Sequence, residues 1–191
     1  QDCTSLTTAP ELPAKTLAQS CYDSMFYKCT SLTTAPALPA NTLAGSCYNN
    51  MFRDCTSLTS APTLPANTLA YSCYTNMFEG CTSLTTAPAL PATILGRECY
   101  KDMFRGCTSL TTAPVLPATT LVDSCYTYMF YGCTNLNYVK MLATENTTKE
   151  NLFAWLSDVS STGTFVKHPD ANIPTGEYGI PRRWTVETAT E

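Results

Sequence analysis

Residues Cys3–Pro10 read CTSLTTAP. The same eight residues return at Cys29, Cys81 and Cys107, and at Cys55 with one change, CTSLTSAP. The leading cysteines fall at 3, 29, 55, 81, 107 and 133, a spacing of 26 residues every time. A fixed period between about 20 and 50 residues marks a solenoid or array. Five complete units run from Cys3 to Gly132, and a sixth opens at Cys133 as CTNLNYVKML before leaving the pattern. One unit is too small to bury its own apolar face, so stacking must complete the core. In a stack each residue lies on its own copy, and one packing solution serves every rung.

The unit reads CTSLTTAPxLPAxTLAxSCYxxMFxG. Its first half, SLTTAPxLP, predicts a short strand, since helix propensity is low and the second proline stops a ladder. Its second half, TLAxSCYxxMFxG, predicts one or two helical turns. In the first unit Leu17, Cys21, Met25 and Phe26 fall near i, i+4, i+8 and i+9, mostly on one face. Gly80, Gly106 and Gly132 stand where a helix would end in the left-handed region. Lys28 and Asp54 hold that place in the first two units, so glycine is favoured there and not required. The expected core is Leu6, Leu12, Leu17, Cys21, Met25, Phe26 and their copies. Six strands about 4.8 Å apart give a parallel sheet roughly 25 Å long.

These residues resemble the BspA-like bacterial leucine-rich repeats, in the branch of 26-residue surface-protein repeats. The resemblance rests on MFxGCTSLT at the unit junctions, as at Met77–Thr85 and Met103–Thr111, and on LPAxTL. It spans about Cys3 to Leu136. It implies a leucine-rich-repeat solenoid of α/β class, with a parallel β-sheet on one face and short helices on the other. It also implies a secreted or cell-surface setting, with adhesion or ligand binding in general terms. The family strand places an Ile-like residue where Ala9 stands here, with Glu11 as an extra residue before Leu12, so a bulge is expected. The chain divides into repeats over 1–142 and a C-terminal cap over 143–191.

Composition narrows the partners. Of 191 residues, 44% are hydrophobic and 14% charged, and the net charge is -4. A mildly acidic chain without a basic cluster speaks against nucleic acid. No run approaches the roughly 20 apolar residues of a membrane helix. Gln1 and Asp2 lead straight into a repeat without a charged and apolar leader, which reads as a mature or excised chain. Regular Leu, Cys, Met, Phe and Tyr separate it from a disordered linker, despite 13 prolines.

The 11 cysteines come two per unit, with gaps of 18 and 8. Structural metal sites favour close C-x₂-C pairs with His, and neither is written here. Two readings stay open: buried free thiols, or disulfides of the type Cys21–Cys29 that leave Cys3 alone. His168, the single histidine, stands in FVKHPD and reads as a surface loop. No phosphate loop, HExxH or dinucleotide turn is present. Asp23, Asp54, Glu79 and Asp102 read as solvated faces rather than an acid–base pair. No cofactor and no enzymatic activity are expected.

The segment after the repeats carries Asn146-Thr147-Thr148, a sequon in form, and Thr147-x-x-Glu150, a capping box. Leu152, Trp155, Leu156 and Val159 add an i, i+3, i+4, i+7 stripe, predicting a helix over 148–158. Gly163–Val166 and Trp184–Val186 read as short strands. Such a segment would close the apolar end of the last repeat. The N-terminal rung has no equivalent, so a preceding segment or self-association is expected there.

Ligands of repeat proteins bind extended surfaces. Strict alternation allows one of two threonine columns to face out, the one containing Thr7 or the one containing Thr8. The preferred surface is Thr8, Thr34, Ser60, Thr86 and Thr112, with Glu11 and Thr63 among the residues that vary between units. The Tyr22 column is expected to pack on itself across rungs. Together these readings give a surface or secreted binding module for an extracellular protein or glycan, or else a spacer within a longer surface protein. Binding of a crystal surface by the threonine array is set aside, because adjacent threonines would face opposite sides.

Overall fold

The computed structural model describes residues 2–146 and 149–190. The repeats stack in register as expected, and every rung contributes to one continuous core. From the second rung on the predicted core residues are buried, as Leu32, Cys47, Met51 and Phe52 show at 0% exposure, except Leu43, which is half-buried. In the first rung Leu6 and Met25 are only half-buried and Cys21 is exposed, since among the described residues no further rung stacks on them.

The sheet face is thinner than expected. Through the repeats it consists of isolated parallel bridges, Thr34 to Ser60 to Thr86 and then Thr112 to Tyr138. A second line of bridges joins Thr16 to Thr42 and Thr68 to Ile94. It is continued by β1 (Thr120–Leu121) pairing with β3 (Glu145–Asn146). Each unit places two prolines after its threonine pair, and proline has no N–H to donate to a ladder. Full strands form where proline is absent. β2 (Tyr138–Met141), β4 (Thr164–Lys167) and β5 (Thr185–Thr188) make a three-stranded parallel sheet in the order β2-β4-β5. The strands expected at 163–166 and 184–186 are therefore present, displaced by one or two residues.

The opposite face is not helical, and the expected short helices are corrected here. Residues 45–54 form a run of overlapping four-residue turns. Cys47, Asn49, Met51 and Arg53 donate N–H groups back to the carbonyls of Ala44, Ser46, Tyr48 and Asn50. The even-numbered residues instead donate across to the next rung: Ser46 to Tyr71, Tyr48 to Cys73, Asn50 to Thr75, Phe52 to Met77. A left-handed residue recurs every fourth position, at Ser46, Asn50 and Asp54, with φ of 55°, 53° and 59°. Each is the third residue of a turn, where type II geometry requires positive φ. The apolar spacing that suggested a helix arises because adjacent pairs of this turn run, Cys47 and Tyr48 and then Met51 and Phe52, are buried every four residues.

The choice has a backbone cause. An α-helix satisfies its N–H groups internally and leaves none for the neighbouring rung. The turn run divides its donors evenly between itself and the stack. Glycine is helpful only at the last left-handed position, at Gly80, Gly106 and Gly132. A Cβ on Gly80 would also come within 2.3 Å of Asp54 Oδ1.

Two aromatic columns run up the core. The Tyr22 column stacks at 5.8–6.0 Å between ring centroids and the Phe26 column at 5.5–5.7 Å. Both end on Trp155, 6.2 Å from Tyr126 and 6.4 Å from Phe130. Trp155 is fully buried, and its Nε1–H donates to Gly179 O at 2.8 Å.

The expected helix over 148–158 is likewise corrected. A single 3-10 turn spans Lys149–Leu152, and turns follow with Ala154 and Asp158 left-handed. This stretch repeats the turn run of the units: Tyr126, Tyr128, Phe130 and Gly132 donate to the carbonyls of Asn151, Phe153, Trp155 and Ser157. The capping box and the sequon both involve Thr147, which lies outside the described residues.

Two outcomes are expected. Ser46→Val places a β-branched side chain at a left-handed position and costs about 1–2 kcal/mol, whereas Ser46→Gly is neutral or stabilising. Denaturant unfolding with circular dichroism checks both, and the native spectrum lacks a dominant helical signal. Trp155→Ala removes the floor of both aromatic columns and costs about 3–5 kcal/mol in the same assay.

Candidate functional site

The two threonine columns do not alternate. Thr33 and Thr34, Thr59 and Ser60, Thr85 and Thr86, and Thr111 and Thr112 are all exposed. Leu32 before them is buried and Ala35 after them is half-buried. The chain thus shows two successive residues to solvent between two that face the core, which corrects the expectation that only one column faces out. It also removes the ground on which crystal-surface binding was set aside. The preferred residues Thr8, Thr34, Ser60, Thr86 and Thr112 are all exposed, as are Glu11 and Thr63.

Beside the hydroxyl columns lie open notches between successive APxLPA segments. The first, about 350 Å³, is lined by Leu12, Pro13, Pro36 and Ala37, with Glu11 on its wall. Another, about 250 Å³, includes Pro62, Leu64, Pro88 and Thr63. A third, about 410 Å³, includes Leu90, Pro91, Pro114 and Val115. The structure therefore places Glu11 and Thr63 in notches of one kind, two rungs apart. The notches were not foreseen. Their signal was the proline pair of each unit, read only as a strand stop.

Three large apolar residues interrupt the pattern and are exposed: Tyr71 at 53%, Ile94 at 61% and Val115 at 48%. Ile94 stands in the bridge line otherwise made of threonine. Val115 was visible as a varying position, and its exposure was the missing fact.

The opposite face carries ion pairs between rungs. Arg53 Nε lies 3.2 Å from Glu79, and Arg97 Nε lies 2.8 Å from Asp123. Asp102, expected on a solvated face, is buried and accepts a hydrogen bond from Arg105 at 3.2 Å. Burial raises the pKa of Asp102 and of Glu79, opposed by Arg105 and, for Glu79, by Asn76 and Arg53. His168 sits in a loop, its Nδ1 accepting the Asp170 N–H at 3.2 Å.

Cys21 is an exposed free thiol and the nine cysteines from Cys29 to Cys133 are buried free thiols, with no bond between Cys21 and Cys29. One column has a defined role. Cys55, Cys81, Cys107 and Cys133 donate S–H to the carbonyls of Phe26, Phe52, Phe78 and Phe104 at 3.0–3.1 Å. Phe26 O already accepts the Cys29 N–H, so the thiol fills its second lone pair. Burial pushes the Cys47 thiol up to about 11 and those of Cys55, Cys125 and Cys133 up to about 12. Neutral, inward thiols are poor nucleophiles. Among the described residues no cluster of three or more His, Cys, Asp or Glu is arranged to hold a metal ion. No helix among them is long and apolar enough to cross a membrane.

Two exposed thiols, Cys3 and Cys21, should react at once with a water-soluble thiol reagent, and the other nine only on unfolding. Raised thiol pKa values stabilise fully below the unfolded value of 9.0. That stability is lost as pH rises through the folded values. Each such thiol costs about 1.4 kcal/mol per pH unit across that window. Denaturant midpoints measured from pH 7 to 11 should fall steeply beyond pH 9.

A search of curated proteins returns no match, and neither does a search of solved structures. A family model described as the BspA type leucine rich repeat region matches in six copies, over residues 1–111 and 45–163. Together with the 26-residue rungs and their parallel bridges, this match shows that the chain belongs to the BspA-type leucine-rich repeat family.

Proposed function

We propose that this chain is a binding module of a secreted or cell-surface protein, contacting an extracellular protein or glycan through its bridge face and catalysing no reaction. The observation that carries this reading is the exposure of both threonine columns on a scaffold of hydrogen-bonded rungs. Hydroxyls both donate and accept hydrogen bonds, which suits glycan or peptide polar groups. The neighbouring notches offer apolar depth. Tyr71, Ile94 and Val115, in successive rungs, break the repeat symmetry. Specificity needs such asymmetry, and aromatic anchors are common at binding hot spots. Family membership supports the same reading by kind.

A second reading, a spacer within a longer surface protein, is favoured by the near-identity of the units. Self-association through the first rung meets a polarity problem. The first rung turns the carbonyls of Gln19, Cys21 and Asp23 to the open side, in the register that receives N–H groups elsewhere in the stack. Two such faces present acceptors to acceptors, which disfavours head-to-head pairing.

The deciding experiment is a screen of the chain against immobilised glycans and matrix proteins, followed by Thr34→Arg, Ser60→Arg and Thr86→Arg together. These residues are exposed, so stability should shift by only about 0.5 kcal/mol per site. A binder loses its ligand in the triple variant. A spacer shows no saturable ligand, and tolerates removal of the whole unit from Cys55 to Gly80.

A further inference from the structure

The backbone hydrogen bonds between rungs on the turn face all run one way, from the N–H of one rung to the carbonyl of the next toward the C-terminus. The ladder must therefore end on unused donors. In the last turn run Ala154 N–H finds Glu177 O at 2.8 Å. The next donors in register are Leu156 and Asp158, the counterparts of Phe130 and Gly132. Among the described residues neither finds a carbonyl. The cause lies in the segment beyond Tyr178. Gly179 O is taken by Trp155 Nε1, and Pro181 O accepts the Trp184 N–H at 3.1 Å. The covering chain is thus turned away from the last two donors.

Leu156 and Asp158 line an open cleft of about 330 Å³, together with Ser160, Ser161, Arg182 and Arg183. The arginines set this cleft apart. The chain has five, and Arg53, Arg97 and Arg105 each lie within 3.2 Å of a carboxylate. Arg182 and Arg183 are exposed and, among the described residues, in no ion pair. In an acidic chain, two adjacent unpaired guanidinium groups stand beside two unused backbone donors. The one carboxylate lining the cleft, Asp158, is engaged by the Tyr131 hydroxyl. Asp158 is also left-handed, with φ 57°.

We propose that this cleft is an oxyanion site, taking a sulfate or phosphate monoester. Two guanidinium forks, two amides and two hydroxyls offer more donors than the two oxygens of one carboxylate can use. A tetrahedral ester with three free oxygens matches them better, and arginine favours such groups. The site uses none of the threonine columns, so it stands or falls apart from the bridge-face reading.

The test is an amide-resolved NMR titration of the whole 191-residue chain with inorganic sulfate, inorganic phosphate, a sulfated oligosaccharide and a carboxylate-only oligosaccharide. The Leu156 and Asp158 amides should shift saturably with the tetrahedral anions, and binding should weaken as salt is raised. Tighter binding of the sulfated oligosaccharide than of the free ions would assign an ester on a glycan. Comparable affinities would assign the free ion. The Arg182→Ala, Arg183→Ala double variant should bind at least about tenfold more weakly, while the Thr34, Ser60 and Thr86 triple variant should bind as before. Absence of saturable shifts at the two amides would overturn the proposal. So would unchanged affinity in the double variant, or equal binding of the carboxylate oligomer.

Discussion

The structure depends on one backbone constraint: each turn run must serve its own carbonyls and those of the next rung with a single set of N–H donors. Alternation solves it. Odd donors close four-residue turns, and even donors cross to the next rung. Keeping the even donors parallel to the stack axis demands a left-handed residue every fourth position. Among the described residues fifteen such residues other than glycine are present, mostly Ser, Asn and Asp. A left-handed residue costs about 1–2 kcal/mol, comparable to the 0.5–1.5 kcal/mol net gain of one hydrogen bond. The ladder alone therefore gains little. Burial of the Tyr, Phe, Met and Leu columns that it aligns supplies the surplus, since a fully buried side chain of this size is worth about 1.5–3 kcal/mol.

One-way donors also give the solenoid a polar axis. Its two ends are chemically unlike: one presents carbonyls, the other N–H groups. A strand edge presents both, so the bridge face shows no such polarity, with Thr59 donating toward the N-terminus and Ala113 toward the C-terminus. The cap meets the donor end with a last turn run, then with Glu177 O and the three-stranded sheet. Trp155 finishes the aromatic columns at the same level. The apolar core and the polar ladder are closed by different residues, and the apolar closure is the more complete.

Much of this was legible in the sequence. The 26-residue period, the buried Leu, Cys, Met and Phe columns, the self-packing tyrosines and the late strands all follow from repetition and pattern. The turn face was not, because Leu17, Cys21, Met25 and Phe26 satisfy a helical spacing and a turn spacing alike. Fours dominate in both. The deciding clue was Ser20 and Ser24, left-handed in the structure, where serine reads as an ordinary polar residue. The paired threonines misled for a related reason. Alternation holds in a long strand, but a single bridge between a turn and a proline allows two neighbours to face out. For the candidate site, exposed residues such as Thr34 and Thr63 could be named from pattern. Arg182 and Arg183 could not, because their meaning lies in donors left over by a ladder that no sequence motif announces.

Repetition and variation then occupy different residues for a physical reason. A core residue stacked on its own copy is constrained from both sides, so a change in one rung strains two neighbours. An exposed residue meets only solvent and can vary rung by rung. Tyr71, Ile94 and Val115 are such departures. The ends of the stack are free in a second sense: they are the places where the ladder's chemistry is not matched by another rung. In this fold the repeats supply a uniform hydroxyl face, while its asymmetric groups gather on a few varied rungs and at the donor end.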